Sequence, residues 1–233
     1  MKLGVFTDPH YAYENSPEEP RRPGPSLERL REALTAFKEA KVEGILCLGD
    51  WIKVQGTTEC MTACLQEFAQ EVKSAGLPVY TCMGNHDNEI FTREEFKELT
   101  GLTVCPCVVE DEHSKVILLD ANFMRTGEPW PPRFTDWTQT AVPADELAWL
   151  EEQLCCEKTC VVALHQNLDP NIIYSLRVEN ADAVRNVIRR AGNVPLVLQG
   201  HEHRGGDAVI DGTRYLTLKS MSEEQNSHFI CEI

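Results

Sequence analysis

Short apolar runs recur along the chain at residues 2–7, 44–48, 78–82, 103–109, 115–120, 160–164, 194–199, 207–210, 215–219 and 228–233. Each has strand length and is bounded by polar or turn-forming residues, so each predicts a β-strand. Between them the apolar period changes to that of a helix. Leu27, Leu30, Leu34 and Phe37 follow Ser26, which the pattern makes an N-cap. Thr92 and Glu95 are spaced as a capping box for a helix running to Leu99. Residues 145–154, with Trp149, form an amphipathic covering helix, and Val184, Val187, Ile188 and Ala191 lead into Gly192 as a C-cap. Strands alternating with helices predict an α/β sandwich. After residue 194 the strands are joined by turns such as Asp211-Gly212, so antiparallel strands should join the parallel ones in a mixed sheet. Residues 9–25, with five prolines, and residues 125–143 read as irregular loops.

Nothing in this pattern marks an internal boundary, and 233 residues fit one domain spanning 1–233. The composition, 42% hydrophobic and 25% charged, supplies an ordinary globular core. A formal charge of -15 argues against nucleic acid, whose backbone requires clustered Lys and Arg. It leaves phosphate substrates open, because a bound cation can reverse the local polarity. The chain enters its first strand with no signal peptide before it and holds no apolar run long enough to span a bilayer, so a cytoplasmic location without membrane contact is expected. The ten cysteines do not form the paired knuckles of a zinc ribbon and are read as reduced packing residues.

The chemistry is concentrated where strands end. Asp8-Pro9-His10, Gly49-Asp50, Gly84-Asn85-His86-Asp87, Leu164-His165 and Gly200-His201-Glu202-His203 all follow apolar runs, so their side chains should converge at the carboxyl ends of the strands. Five of the seven histidines lie in these motifs. Alternate residues of an extended segment share a face, which lets Asp8 and His10 reach one point, and likewise His201 and His203. Mixed carboxylate, amide and imidazole donors suit two divalent or trivalent transition ions, Mn, Fe or Zn, better than Mg or Ca. A pair of such ions supplies a nucleophile at neutral pH and offsets charge on phosphorus oxygens. Glycines at 49, 84 and 200 suit sharp turns close to the ions.

These motifs, in this order, resemble those of calcineurin-like metallophosphoesterases. The resemblance spans residues 8–203 and implies a four-layer α/β/β/α sandwich with two mixed sheets. It implies that Asp8, His10, Asp50 and His203 bind one ion and Asp50, Asn85, His165 and His201 the other, with Asp50 bridging. His86 would contact substrate and protonate the leaving oxygen. Within the family the chain looks most like compact phosphodiesterases, which act on small molecules such as cyclic nucleotides, glycerophosphodiesters or ADP-ribose- and CDP-alcohol-type diphosphates. A monoesterase of the same fold and a catalytically silent scaffold are the alternatives. The sequence carries no reading of oligomeric state.

Two places depart from the family pattern. Lys53, read as a surface residue, stands where many relatives have a second Asp that orients the catalytic histidine. Asp87 or a more distant carboxylate would then serve His86. His165 is followed by Gln166-Asn167, which leaves that loop's contacts open. Tyr11, Tyr13, Arg21, Arg22, Arg125, Trp130 and Arg133 should rim the metal face, unless the tryptophans simply pack a proline-rich loop. His113, His228 and Glu202 are assigned no role.

Overall fold

The computed structural model describes residues 1–13, 25–131 and 133–233. Its strands are β1 (Lys2–Phe6), β2 (Gly44–Cys47), β3 (Val79–Thr81), β4 (Thr103–Val104), β5 (Cys107–Glu110), β6 (Ser114–Leu118), β7 (Thr159–Ala163), β8 (Leu196–Gln199), β9 (Gly206–Ile210), β10 (Thr213–Thr217) and β11 (Phe229–Glu232). The helices are α1 (Pro25–Ala40), α2 (Thr58–Lys73), α3 (Asn85–Ile90), α4 (Arg93–Thr100), α5 (Ala144–Leu154) and α6 (Ala181–Ala191), with a 3-10 turn at Tyr174–Leu176. No described helix is long and apolar enough to cross a membrane.

Two mixed sheets result. One has the order β11-β1-β2-β3-β4, and the other β5-β6-β7-β8-β10-β9. In the first, β1 to β4 run parallel and β11 pairs antiparallel with β1. In the second, β6, β7, β8 and β10 are parallel, with antiparallel strands at both edges.

The period of two along a strand builds the layers. Val116 and Leu118 of β6, Val161 and Ala163 of β7 and Leu198 of β8 join the core formed with the first sheet. Their alternates Ile117, Cys160, Val162 and Val197 join a second core under α5 and α6. On the far side of the first sheet, Gly4 lies against Phe37 of α1 so closely that a Cβ would stand 2.5 Å from the ring. The order is therefore helices, sheet, sheet, helices.

The capping box on α4 forms as the sequence predicts, with Thr92 accepting from Glu95 N and Glu95 from Thr92 N. Gly192 closes α6 in the left-handed region, φ 73°. Two expectations are corrected. The run 103–109 is two strands in different sheets: Pro106 has no N–H to give a ladder, so β4 ends and the chain crosses to the second sheet. Ser26 is no cap but lies within α1, whose described span is Pro25–Ala40. Its buried hydroxyl donates to the Pro9 carbonyl, which ties α1 to the Asp8–His10 segment. All ten cysteines are free thiols.

Candidate metal centre

The motif residues emerge from the carboxyl ends of five parallel strands: Asp8 and His10 after β1, Asp50 after β2, Asn85 and His86 after β3, His165 after β7, His201 and His203 after β8. Backbone hydrogen bonds join their loops. Asp8 N donates to Gly49 O at 3.1 Å, His10 N to Asp50 O at 3.0 Å and Gly200 N to His165 O at 2.9 Å. The turns leave no space for side chains. A Cβ on Gly84 would overlap Asp50 Oδ1, and one on Gly200 would overlap Thr7 Oγ1. Gly49 has φ 104°. Beneath the turns, Trp51 is wholly buried, donates Nε1–H to Thr81 Oγ1 at 2.7 Å and packs edge-on to Phe6, Phe68 and Phe96.

Four of the motif residues have left-handed backbones although none is glycine: Asp8 (φ 51°), His10 (42°), Asp50 (55°) and His201 (67°). Each such residue costs of order 1–3 kcal/mol and is kept only where surroundings enforce it. Here the strain turns the side chains toward a common point.

Both carboxylates divide their oxygens in the same way. Asp8 Oδ2 accepts from Thr7 Oγ1 (2.6 Å) and His201 N (3.0 Å), which leaves Oδ1 facing His203 Nε2 at 3.4 Å and His10 Nε2 at 3.6 Å. Asp50 Oδ1 accepts from His86 N at 2.9 Å, and Oδ2 stands between His10 Nε2 (3.5 Å) and His165 Nε2 (3.4 Å). Asn85 Oδ1 is 3.3 Å from the same His165 nitrogen. Ring nitrogens of His10 and His203 approach to 3.1 Å. The opposite edges of two rings are held: His165 Nδ1 donates to Leu48 O at 2.8 Å, and His203 Nδ1 meets Glu223 Oε1 at 2.6 Å. Their Nε2 atoms are thereby aimed inward.

Two triads that can hold a cation follow, Asp8-His10-His203 and Asp50-His165-His201, with a third, His10-Asp50-His86, lying across them. The donor set fits transition ions on two further grounds. Asp8 Oδ1 and His201 Nε2 are buried with no hydrogen-bond partner, a costly state unless a cation takes their lone pairs. Burial also pushes His10 down to about 4 and His201 to about 3, so both rings are neutral and able to ligate. Burial would lower His165 as well, but the Asp50 charge overrides it and lifts the ring to about 9, the attraction a positive ion would feel there. Asp8 and Asp50 are fully buried, and burial alone would raise them, yet the surrounding histidines hold both well below the carboxylate range.

Several expectations about neighbouring residues change. Asp87 does not serve His86: its carboxylate accepts from Trp51 N and Gly84 N, each at 2.9 Å, and so braces the Asp50 and Asn85 turns. Burial and the charge of Asp50 raise Asp87 to about 8. Lys53 is buried rather than on the surface, and its backbone N–H donates to Tyr11 O. The ring of His86 stands perpendicular to His10 with centroids 4.7 Å apart. Gln166 and Asn167 brace the loops. Gln166 Nε2 donates to Asn122 Oδ1, Asn122 Nδ2 donates to Met83 O, and Asn167 Nδ2 donates to Gly200 O.

Of the expected rim, Tyr11 is core, tilted on Phe68 at 5.5 Å, and Trp130 is buried with Nε1–H donating to Gln139 O, so packing accounts for both. Arg125 forms a two-pronged pair with Glu179. Tyr13 and Arg133 are exposed, and Arg21 and Arg22 lie outside the described residues. His113 is exposed, His228 packs on Phe37, and Glu202 is buried, accepting from its neighbour Arg204.

Glu223 had no signal in the chain's pattern, since it lies twenty residues past His203 in no motif. The same holds for the cleft over the cluster, about 320 Å³, where Asp50, Asn85, His86, His201 and His203 meet walls made by Glu89, Thr135, Trp137 and Leu176.

The calcineurin-like phosphoesterase family model matches residues 1–205. No curated protein matches the chain. Among solved structures it is similar to a dimetal phosphatase from Danio rerio, with TM-score 0.80 and 18% identity over 96% of this chain and 88% of that one. It is also similar to TT1561 of Thermus thermophilus (TM-score 0.65, 13% identity, 95% and 90% covered). A third is the phosphopantetheinyl hydrolase of Mycobacterium tuberculosis (TM-score 0.56, 13% identity, 99% and 95% covered). At these identities the likeness is one of fold.

Proposed function

Because the chain belongs to the calcineurin-like phosphoesterases, we propose that it is a dinuclear phosphodiesterase acting on a small nucleotide-like or glycerophospho substrate. The observation that carries this reading is the position of Asp50 Oδ2, within 3.5 Å of His10 Nε2 and 3.4 Å of His165 Nε2. A single carboxylate oxygen shared by two clusters of lone pairs is what a bridging ligand requires. In this reading Asp8, His10, Asp50 and His203 hold one ion, and Asp50, Asn85, His165 and His201 the other. Mn, Fe and Zn suit these donors.

The ions, when bound, supply a nucleophile at neutral pH and neutralise charge developing on the phosphoryl oxygens. The chain's own residues do the rest. Asp50 fixes the spacing of the two clusters, and its second oxygen, tied to His86 N, stops the carboxylate from rotating. His86 borders the cleft and protonates the departing alkoxide. Glu223 sets the tautomer of His203.

Diester preference rests on the cleft's lining, which among the described residues has no Lys or Arg to receive the extra charge of a monoester dianion. With Mn supplied, bis(4-nitrophenyl) phosphate should be hydrolysed with a kcat/KM at least about tenfold above that of 4-nitrophenyl phosphate; tenfold corresponds to about 1.4 kcal/mol. A ratio reversed in favour of the monoester would select the phosphomonoesterase alternative.

Glu223→Gln keeps shape and removes the negative charge from behind His203. Loss of such a partner typically weakens metal binding about 10- to 100-fold. Titration of metal-stripped protein with Mn should show that loss, with the far-ultraviolet circular dichroism unchanged. Wild-type affinity in the variant would remove Glu223 from the account.

A further inference from the structure

The walls of the cleft that are not candidate ligands come from separate segments: Glu89 from α3, Thr135 and Trp137 from the loop 125–143, and Leu176 from the 3-10 turn. Glu89 lies three residues after His86 and four after Asn85, one turn along α3 from each of them. Its carboxylate forms no ion pair with a described residue. Trp137 is 37% exposed and meets the His201 ring at 5.5 Å and 74°, which leaves indole surface bordering the cleft. An anion and an aromatic ring therefore stand beside the place where phosphate would sit, with an aliphatic side chain near them and no described Lys or Arg in the lining.

Away from the candidate ligands, that lining offers no described Lys or Arg to a second negative charge on the substrate. It is suited to a positive one. A carboxylate attracts an ammonium by charge, and an indole face attracts it through the ring quadrupole, most strongly when the ammonium is quaternary and weakly hydrated. Leu176 offers apolar surface to methyl or methylene groups. We infer that the cleft selects phosphodiesters whose alcohol carries an ammonium group, held between Glu89 and Trp137. The inference rests on the phosphodiesterase reading above and narrows it to a substrate class with a cationic amino alcohol.

The test compares kcat/KM of the Mn-loaded enzyme for glycerophosphocholine with that for glycerophosphoglycerol, which differs in lacking the cation. A preference of about tenfold, equivalent to about 1.4 kcal/mol, is expected for the choline diester. Glu89→Gln and Trp137→Leu should each reduce the ratio at least threefold. A readout independent of turnover is tryptophan fluorescence of the metal-free protein titrated with choline chloride, which should be quenched in wild type and far less in Trp137→Phe. A wild-type ratio near one, or a ratio unaltered in Glu89→Gln, overturns the inference. Hydrolysis of bis(4-nitrophenyl) phosphate in the same preparation separates the two failures. If that diester is cleaved while the ratio is one, only the cation preference falls. If it is not cleaved, the phosphodiesterase reading falls first.

Discussion

Asp50→Ala should lower kcat/KM on bis(4-nitrophenyl) phosphate by roughly three orders of magnitude or more, since charge stabilisation by metal ions supplies several kcal/mol and each 1.36 kcal/mol is a factor of ten. The size follows from geometry. Asp50 Oδ2 lies between His10 and His165, so its removal loosens both clusters. It also releases His86 N from Oδ1. Asp50→Asn controls for folding. The amide oxygen can still accept from His86 N, while the charge that draws cations between the histidines is gone. We expect the asparagine variant to fold as wild type by thermal melting yet lose most activity. Rates within about threefold of wild type for both variants, with Mn in excess, would contradict a bridging role.

His86→Ala should separate substrates by leaving group. A general acid contributes about 10²- to 10⁴-fold when the departing oxygen needs a proton, and much less when that oxygen is a stable aryloxide. Alkyl phosphodiesters should therefore lose at least about a hundredfold in kcat. Nitrophenyl diesters should lose an order of magnitude less. The ring borders the cleft and stands perpendicular to His10, with centroids 4.7 Å apart. Asp87, the nearest carboxylate in sequence, accepts instead from Trp51 N and Gly84 N. Steady-state kinetics on a matched alkyl and aryl pair is the measurement. Equal losses would assign His86 to binding the phosphoryl oxygens instead.

The strands were legible because buried parallel strands leave uninterrupted apolar runs, such as Ile45 to Leu48 and Cys160 to Leu164. The convergence of Asp8, His10, Asp50, Asn85, His86, His165, His201 and His203 was legible for a related reason: polar residues placed just past such runs must lie at one edge of the sheets. Other features had no local signal. The break at Pro106 required knowing that β4 and β5 belong to different sheets. The left-handed backbones of Asp8, His10, Asp50 and His201 are imposed by contacts with neighbouring loops, and such residue types do not announce a positive φ. Glu223 reaches His203 only because Met221 N and Ser222 N bond to Thr7 O and Asp8 O, a pairing across the whole length of the chain. Glu89, Trp137 and Leu176 become neighbours of the cluster only through tertiary structure. Trp130 and Tyr11 show the converse. Aromatic residues in irregular segments fit a rim by sequence, yet both are buried as packing.

Anomalous diffraction from crystals of the wild-type protein grown with Mn tests the central claim most directly. The account predicts two peaks, one among Asp8, His10 and His203 and one among Asn85, His165 and His201, both within ligand distance of the Asp50 carboxylate. A single peak, or peaks away from Asp50, would contradict it.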